Sequence, residues 1–306
     1  DGSGGWYVGG NFTKIGDSTI QYLAHINSNG TVDTNWNPSA NSTVYSLLLN
    51  GSTLYAGGSF SSIGGQSRNR IAALTTSTAS ATSWNPNSNA EVYALAYDSA
   101  STTTLYAGGG FTSIGGLSRN YLASINTSTG SSTGWNPNLD DFVWSLAISS
   151  STLYAGGDFT TIGASTRNRI AAISTSTGSA TSWDPNGNNT VYSLLLSGST
   201  LYAGGDFTSI GSATRNRIAA IDTTTGTSTS WNPNSNNSVY ALALNGSTLY
   251  AGGKFTRIGE ATSSRVAALD TTTGSSTSWN AKTSNSVRAI AVGTSTVYIG
   301  GNFSSI

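Results

Sequence analysis

An internal repeat constrains this chain more than any other feature. A glycine pair in the string L-Y-A-G-G-x-F, or a close variant of it, recurs with its first glycine at Gly9, Gly57, Gly108, Gly156, Gly204, Gly252 and Gly300. The spacing is 48 residues except for one step of 51, and a tryptophan recurs with the same spacing. A fixed period of this length is typical of propellers and solenoids, so the fold must be built from one repeated unit.

Each repeat contains four segments with the composition of short strands. In one repeat, strand one is Val239–Leu244, the hairpin turn is Asn245-Gly246, and strand two is Thr248–Phe255 with the glycine pair inside it. Glycine inside a strand marks a bulge or a close approach of another backbone. Strand three corresponds to Arg217–Ile221 of the preceding repeat, and strand four ends at Trp231. The pattern predicts an all-β protein, a β-propeller of four-stranded antiparallel blades with about 48 residues per repeat. A stacked β-solenoid is the alternative.

The number of strands predicts one propeller domain over residues 1–306, with six repeats plus a duplicated strand two at the C-terminal end. The tail, 297–306, repeats the head, 6–15. Strand one at 286–292 would either complete the first blade of a six-bladed ring or belong to a seventh blade of a longer chain, of which this sequence is a window. The one three-residue insertion falls within 98–104 and predicts an exposed hairpin tip.

Composition excludes several classes of protein. Charged residues make up 8% of the chain, and 13 Lys and Arg balance 13 Asp and Glu. A charge-driven nucleic-acid binder is therefore excluded, because phosphate contacts need clustered basic residues. No apolar run is long enough to cross a bilayer, so no membrane span is expected. Cysteine is absent, which excludes disulfides, thiolate catalysis and cysteine-based zinc sites. The absence of both cysteine and methionine suits an oxidising, extracellular setting.

Several strings resemble known repeat families. The segment 25–38 reads H-I-N-S-N-G-T-V-D-T-N-W-N-P, and later repeats contain R-N-R-I-A-A and G-G-x-F-T-x-I-G. Together they resemble the delta-sixty repeat of bacterial surface and secreted proteins. The glycine pair, followed by Asp222-x-x-x-Gly226 and Trp231, is also similar to kelch and quinoprotein blades. The delta-sixty resemblance implies a propeller at a bacterial surface or outside the cell, and it implies no catalytic residues.

One position forms a candidate ligand-binding ring. The second residue of strand one is aromatic in five repeats and basic in the sixth. The members are Tyr45, Tyr93, Trp144, Tyr192, Tyr240 and Arg288. Strand one lies nearest the axis of a propeller, so these side chains would stand near the channel mouth and stack on sugar faces. Packing between blades is the alternative.

Two further sets are interpreted as fastenings between blades. The first arginine of the R-N-R strings would bind turn carbonyls or a neighbouring aspartate, and the alternative is an anionic ligand. These arginines are Arg68, Arg167 and Arg215. The repeated tryptophans would pack between sheets. They are Trp36, Trp84, Trp135, Trp183, Trp231 and Trp279.

Candidates for catalysis are few. His25 is the only histidine, Asp140-Asp141 is the one adjacent acidic pair, and Asp158 and Asp206 share one register. A triad or a metal cluster would need His25, and glycoside hydrolysis would need paired carboxylates. Packing and turn roles explain these residues more simply. No catalytic residue, metal site or cofactor is therefore predicted.

These features predict a non-enzymatic extracellular or cell-surface module with a structural, adhesive or assembly role. Its expected partners are other copies of the chain, other domains of a surface protein, or glycans. A carbohydrate-binding, lectin-like propeller is the alternative, and a glycan-cleaving or quinone-type enzyme is a third possibility. Repeated N-x-S/T triplets permit glycosylation.

Overall fold

The computed structural model describes residues 1–97, 103–279 and 281–306. No helix is present in these ranges, which confirms the all-β prediction. The chain forms two compact units, Asp1–Val143 with Ser176–Gly178, and Trp144–Thr175 with Ser179–Ile306. Most of the inserted segment, residues 98–102, lies outside the described ranges, so the hairpin tip predicted there stays a prediction.

Each unit repeats a sheet of three antiparallel strands with the second strand in the middle. The first strands are β3 (Val44–Asn50), β8 (Val92–Tyr97), β13 (Val143–Ser149), β18 (Val191–Ser197), β23 (Val239–Asn245) and β28 (Val287–Val292). The second strands are β1 (Trp6–Gly9), β4 (Thr53–Gly58), β9 (Thr104–Gly109), β14 (Thr152–Gly157), β19 (Thr200–Gly205), β24 (Thr248–Gly253) and β29 (Val297–Gly301). The third strands are β2 (Leu23–Ile26), β7 (Ile71–Thr75), β12 (Leu122–Asn126), β17 (Ile170–Ser174), β22 (Ile218–Asp222) and β27 (Val266–Asp270).

Consecutive sheets pack face to face within each unit. In the first unit, Tyr55 and Trp84 of one repeat share a core cluster with Val92, Leu105 and Phe111 of the next. The second unit contains an equivalent cluster. Because each middle strand between two such sheets is covered on both faces, the L-Y-A-G-G string is continuously buried and does not alternate between buried and exposed residues.

The glycine pair is required by two close approaches. A Cβ on Gly204 would lie 2.8 Å from a methyl group of Val239 in the next repeat. A Cβ on Gly205 would lie 2.2 Å from the carbonyl oxygen of Thr190, which precedes the first strand of the same sheet. The register between β18 and β19 shifts there, as expected for a β-bulge. Both features that glycine in a strand predicts, the bulge and the close approach, are therefore present.

The fourth strand is shorter than the sequence predicts. It contributes a single bridge, such as Ile221 to Ser228, with one backbone hydrogen bond on each side. Beyond the bridge, the N–H of Trp231 donates to the Thr229 hydroxyl at 3.3 Å, a local turn contact that leads the backbone away from the sheet.

The segment between the second and third strands contains a short hairpin where the sequence predicts a loop. These hairpins pair β5 (Ser62–Ile63) with β6 (Gln66–Ser67), β10 (Ser113–Ile114) with β11 (Leu117–Ser118), β15 (Thr161–Ile162) with β16 (Ser165–Thr166), β20 (Ser209–Ile210) with β21 (Ala213–Thr214), and β25 (Arg257–Ile258) with β26 (Ala261–Thr262). Two-residue strands carry no periodicity that a sequence pattern can detect.

Both terminal copies of the second strand are paired. β1 pairs with β2 through contacts such as Tyr7 to His25, and β28 pairs with β29 through contacts such as Ile290 to Ile299. The sheet of β28 and β29 thus has a first and a second strand, while the sheet of β1 and β2 has a second and a third. The single domain over 1–306 and its number of blades stay predictions.

Candidate functional site

The predicted ring residues lie at one edge of the sheets. Because the strands are antiparallel, the first strand begins beside the end of the second strand and the start of the third. The extra residue of a β-bulge occupies the ring position in five repeats, namely Tyr45, Tyr93, Tyr192, Tyr240 and Arg288. A bulge changes the direction of a side chain relative to the regular pleat. The side chains at the ring position therefore do not follow the alternation of their strand.

In the second unit, the ring residues form a row in contact. The ring centroids of Trp144 and Tyr192 are 6.3 Å apart, and those of Tyr192 and Tyr240 are 5.3 Å apart. The guanidinium carbon of Arg288 lies 4.8 Å from the centroid of Tyr240, a cation–π contact. The row is therefore aromatic for three members and ends in a positive charge.

The carboxylate of Asp206 binds a member of this row. Asp206 accepts hydrogen bonds from the Tyr192 hydroxyl at 2.9 Å and from the Ser238 hydroxyl of the next repeat at 2.5 Å. Burial raises the pKa of the Tyr192 phenol above its ordinary value of 10.0, and the hydrogen bond to Asp206 raises this pKa further. Arg217 donates to the carbonyl oxygen of Asp206. Asp206 therefore bridges two repeats.

Asp158 makes the same bridge one repeat earlier. It accepts the indole N–H of Trp144 at 2.7 Å and the hydroxyl of Thr190 in the next repeat. Arg169 donates to the Asp158 carbonyl oxygen, and its Nη1 lies 3.9 Å from the carboxylate. Our sequence analysis noted the shared register of Asp158 and Asp206 but missed this hydroxyl–carboxylate–arginine bridge.

The first unit contains a different arrangement, which we call the aromatic cluster and which consists of Tyr45, Tyr93, Tyr121 and Phe142. The ring centroids of Tyr45 and Tyr93 are 5.3 Å apart, and Phe142 lies 6.2 Å from Tyr93 and 5.8 Å from Tyr121. Tyr45 is 49% exposed and Phe142 is 36% exposed. Burial, followed by the nearby Glu91 charge and then Tyr45, raises the pKa of Tyr93 to about 12.

The aromatic cluster arises where three residues of one repeat differ from the equivalent residues of the repeats that have a polar bridge. Gly110 stands in the register of the bridging aspartates, Tyr121 in the register of Arg169, and Phe142 in the register of Thr190. A Cβ on Gly110 would lie 3.2 Å from the Phe142 ring, so the glycine leaves room for the phenyl group. We call the contact between two consecutive repeats a junction. At the junction formed by Gly110, Tyr121 and Phe142, aromatic side chains therefore replace the whole polar bridge.

Trp84, Trp183 and Trp231 connect neighbouring repeats, whereas packing between sheets by Trp135 and Trp279 stays a prediction. The first three donate their indole N–H to a main-chain carbonyl oxygen of the next repeat. The bonds run from Trp84 to Asn126, Trp183 to Asp222 and Trp231 to Asp270, each 2.9 Å long. The rings of five tryptophans pack edge-on against the tyrosine of the L-Y-A-G-G string. These are Trp84, Trp135, Trp183, Trp231 and Trp279. Trp36 lies 4.9 Å from Tyr7 in a tilted contact.

The predicted fastening arginines make hydrogen bonds within their own repeat. Each donates to the carbonyl oxygen of the preceding residue and to that of a threonine near the bridge of the fourth strand. The threonines are Thr82 for Arg68, Thr181 for Arg167 and Thr229 for Arg215. Because these bonds join the short hairpin to its own sheet, a fastening between blades by these arginines stays a prediction.

Other titratable groups of the first unit make local contacts. His25 contacts the carboxylates of Asp1 at 2.9 Å and Asp33 at 3.1 Å, and it lies 4.8 Å from the Tyr7 ring. Asp141 accepts the N–H of Phe142 at 2.8 Å. Over the described ranges, no group of three or more His, Cys, Asp or Glu side chains is placed to hold a metal ion. The same ranges contain no helix with the length and hydrophobicity of a membrane span.

Comparison with known proteins identifies the architecture. A family model described as "Domain of unknown function (DUF5122) beta-propeller" matches residues 3–35 and 53–77. The fold is a β-propeller. The resemblance to delta-sixty and kelch repeats stays a prediction.

Two solved structures are similar to the propeller. One is the computationally designed Ika8 protein, with 15% identity over 91% of this chain and 74% of that one, at a TM-score of 0.56. The other is the extracellular domain of the hybrid two component system BT4673 from B. thetaiotaomicron, with 16% identity over 92% of this chain and 34% of that one, at a TM-score of 0.61. The propeller thus spans about a third of the second structure. No curated protein matches the chain.

Proposed function

We propose that the chain is a non-enzymatic, extracellular or cell-surface propeller module with an adhesive role, and that it binds carbohydrate through the aromatic cluster. One observation carries this proposal: at a single junction in the first unit, three neighbouring registers change together from a polar bridge to an exposed aromatic surface. Tyr45 and Phe142 present this surface to solvent.

Folding alone does not require the aromatic cluster. The junctions at Asp158 and Asp206 connect the same strands with an aspartate, an arginine and a hydroxyl group. A repeat that folds with polar contacts has no structural need for Tyr121 and Phe142. Exposed aromatic side chains on a soluble protein are typical of binding surfaces.

The chemistry of the aromatic cluster suits a sugar ring. A pyranose has an apolar face of C–H groups that stacks on tyrosine or phenylalanine, and its hydroxyl groups need polar partners at the edge. The Tyr45 hydroxyl already accepts a hydrogen bond from Ser59 at 3.1 Å, and Glu91 lies beside Tyr93. A neutral saccharide is therefore the expected ligand of this surface.

One feature favours binding over catalysis, and two others favour an extracellular setting. Asp158 and Asp206, the carboxylates that share a register, each hold two neutral donors in structural bridges. The structure of BT4673 that resembles this chain is an extracellular domain. The absence of cysteine and methionine suits the same setting. Partners of this adhesive module would be glycans, other copies of the chain or other domains of a surface protein.

A glycan array tests the proposal. The decisive variant combines Gly110→Asp, Tyr121→Arg and Phe142→Thr, which gives this junction the residues of the Asp158 junction. We expect the natural chain to bind neutral saccharides and the triple variant to lose binding while keeping its melting temperature. Tyr298→Ala is the matched control, because Tyr298 is 43% exposed and lies outside the aromatic cluster. Absence of binding by the natural chain, or equal binding by the triple variant, would refute the proposal.

A further inference from the structure

A cationic cleft lies in the second unit, and it shares no residue with the aromatic cluster of the first unit. Its volume is about 360 Å³, and it is lined by Asn216, Arg217, Asn234, Ser235, Asn236 and Arg257. The lining thus provides two guanidinium groups, three amides and one hydroxyl group, with neither a carboxylate nor an apolar side chain.

The fold places the two arginines on consecutive repeats. Arg217 immediately precedes β22, where its φ of 65° belongs to the left-handed region, and Arg257 begins the short strand β25 of the next repeat. The segment between them is held firmly. Asn216 donates to the Asn234 side chain at 2.7 Å, and the Asn236 side-chain oxygen accepts the N–H of Arg257 at 3.0 Å. The cleft therefore lies between two basic residues whose backbone segments are connected by these hydrogen bonds.

Both guanidinium groups keep donors for a ligand. Arg217 donates one N–H to the carbonyl oxygen of Asp206. The Asp206 carboxylate binds the hydroxyl groups of Tyr192 and Ser238. Over the described ranges, the side chain of Arg257 has no hydrogen-bonded or ion-paired acceptor. Since a guanidinium presents five N–H donors in a planar fork, this pair is suited to a carboxylate or sulfate.

The repeats show that Arg257 is dispensable for folding. The same register is occupied by Ser62, Ser113, Thr161, Ser209 and Ser305, and by Lys14 in the first repeat. A second cleft, of about 330 Å³, shares only two registers with this one, at Asn186 and Ser209, and is otherwise lined by Pro185 and residues of the β20–β21 hairpin. That lining carries no charged side chain. Arg257 thus adds positive charge at a position where other repeats fold with serine or threonine.

We infer that this cleft binds an acidic saccharide. Arg217 and Arg257 would hold its carboxylate or sulfate group, and the amides of Asn216, Asn234 and Asn236 would bind its hydroxyl groups. The absence of an aromatic platform in the lining separates this site from the aromatic cluster, and the inference does not depend on the proposed function.

Calorimetry with the full chain tests the inference. The probes are an oligogalacturonate for the carboxylate, a sulfated oligosaccharide for the sulfate, and a neutral oligosaccharide of equal length. We expect the natural chain to bind at least one acidic probe at one site and to bind the neutral probe at least tenfold more weakly, since charge-assisted hydrogen bonds are lost. Binding by the galacturonate alone or by the sulfated probe alone identifies which oxyanion the cleft holds.

The test variants take the residues found at equivalent positions of other repeats. Arg257→Ser introduces the residue that Ser209 holds in the equivalent register, and Arg217→Tyr introduces the residue found at Tyr121, where φ is 62°. We expect each to weaken acidic binding about tenfold or more. Arg257→Ser should keep the melting temperature, whereas Arg217→Tyr should lower it because the hydrogen bond to the Asp206 carbonyl oxygen is lost. Arg257→Lys should lose part of the affinity, because an ammonium group cannot bind bidentately. Equal affinity for acidic and neutral probes, or unchanged affinity in Arg257→Ser, would overturn the inference. The triple variant of the aromatic cluster should bind the acidic probe normally.

Discussion

The second glycine of each pair tests how closely the first and second strands of a sheet approach each other. The perturbation is Gly205→Ala. The new Cβ would lie 2.2 Å from the carbonyl oxygen of Thr190 and 2.9 Å from the Phe207 ring. Carbon atoms approach carbonyl oxygens to about 3.3 Å, so the two backbones must separate by about 1 Å. No rotation of a side chain can relieve a contact between two backbones.

The expected cost follows from the contacts that this separation disturbs. The Thr190 carbonyl oxygen accepts the N–H of Asp206 at 2.9 Å, and disrupting this buried bond costs about 1–3 kcal/mol. Local overpacking adds about 1–3 kcal/mol. The reduced freedom of alanine in the unfolded chain offsets about 0.4–1 kcal/mol of this loss. We therefore expect the free energy of unfolding to fall by about 1–5 kcal/mol.

Urea unfolding followed by tryptophan fluorescence measures this change. Gly134→Ala is the matched control, because a Cβ there meets no atom within 4 Å. Gly204→Ala should fall between the two, since its Cβ meets a methyl group of Val239 at 2.8 Å and the Val239 carbonyl oxygen at 3.2 Å, both less close than the 2.2 Å contact of Gly205. The reasoning is refuted if Gly205→Ala unfolds within about 0.5 kcal/mol of the control, which is the range of an ordinary surface substitution.

Three further predictions concern named side chains. Trp231→Phe should lower the free energy of unfolding by about 1–2 kcal/mol more than Trp36→Phe in urea unfolding, because Trp231 donates to Asp270 whereas the buried Trp36 indole nitrogen has no hydrogen-bond partner among the described residues. For Tyr93, the raised pKa of about 12 means that folding favours the neutral phenol, so stability present below pH 10 is lost as pH rises toward 12, and alkaline unfolding of Tyr93→Phe should show a smaller loss. Hydrogen bonds from the Thr225 and Thr224 backbone lower the pKa of Asp222 below 3.8, so stability present above that value is lost as pH falls through the folded-state pKa, and acid unfolding of Asp222→Asn should lack this contribution.

The strands were predictable because their signals are local. Strand one, predicted at Val239–Leu244, is observed at Val239–Asn245, and strand three, predicted at Arg217–Ile221, is observed at Ile218–Asp222. The bounds agree to within one residue since β-branched residues and turn residues define each strand end. The fourth strand was overestimated because its serine and threonine side chains also bind the nearby backbone, as Thr229 binds the N–H of Trp231.

The candidate site was only partly predictable. The register of the first strand identified Tyr45 and Tyr93, since a period in the sequence shows which residues share a position. The sequence could not show that Gly110, Tyr121 and Phe142 meet, because they are far apart along the chain and only tertiary packing joins them. A signal nevertheless existed: all three differ from the residues of the polar bridges at Asp158 and Asp206, and Phe142 is the one aromatic residue in its register.

This observation explains how a nearly symmetric chain can have specific sites. When a contact recurs at several junctions, such as the bond from Trp183 to Asp222 and that from Trp231 to Asp270, folding is a sufficient explanation for it. At some junctions the shared contact is absent and several neighbouring residues differ together. Because other repeats fold with the shared contact, the fold does not require the residues that replace it. Selection for the fold then cannot account for them, whereas selection for a ligand can. The aromatic cluster around Phe142 meets this criterion, because three registers of a polar bridge change together. The cleft at Arg257 is a different case: its asparagines recur in the preceding repeat at Asn168, Asn186 and Asn188, and Arg257 alone adds charge to them.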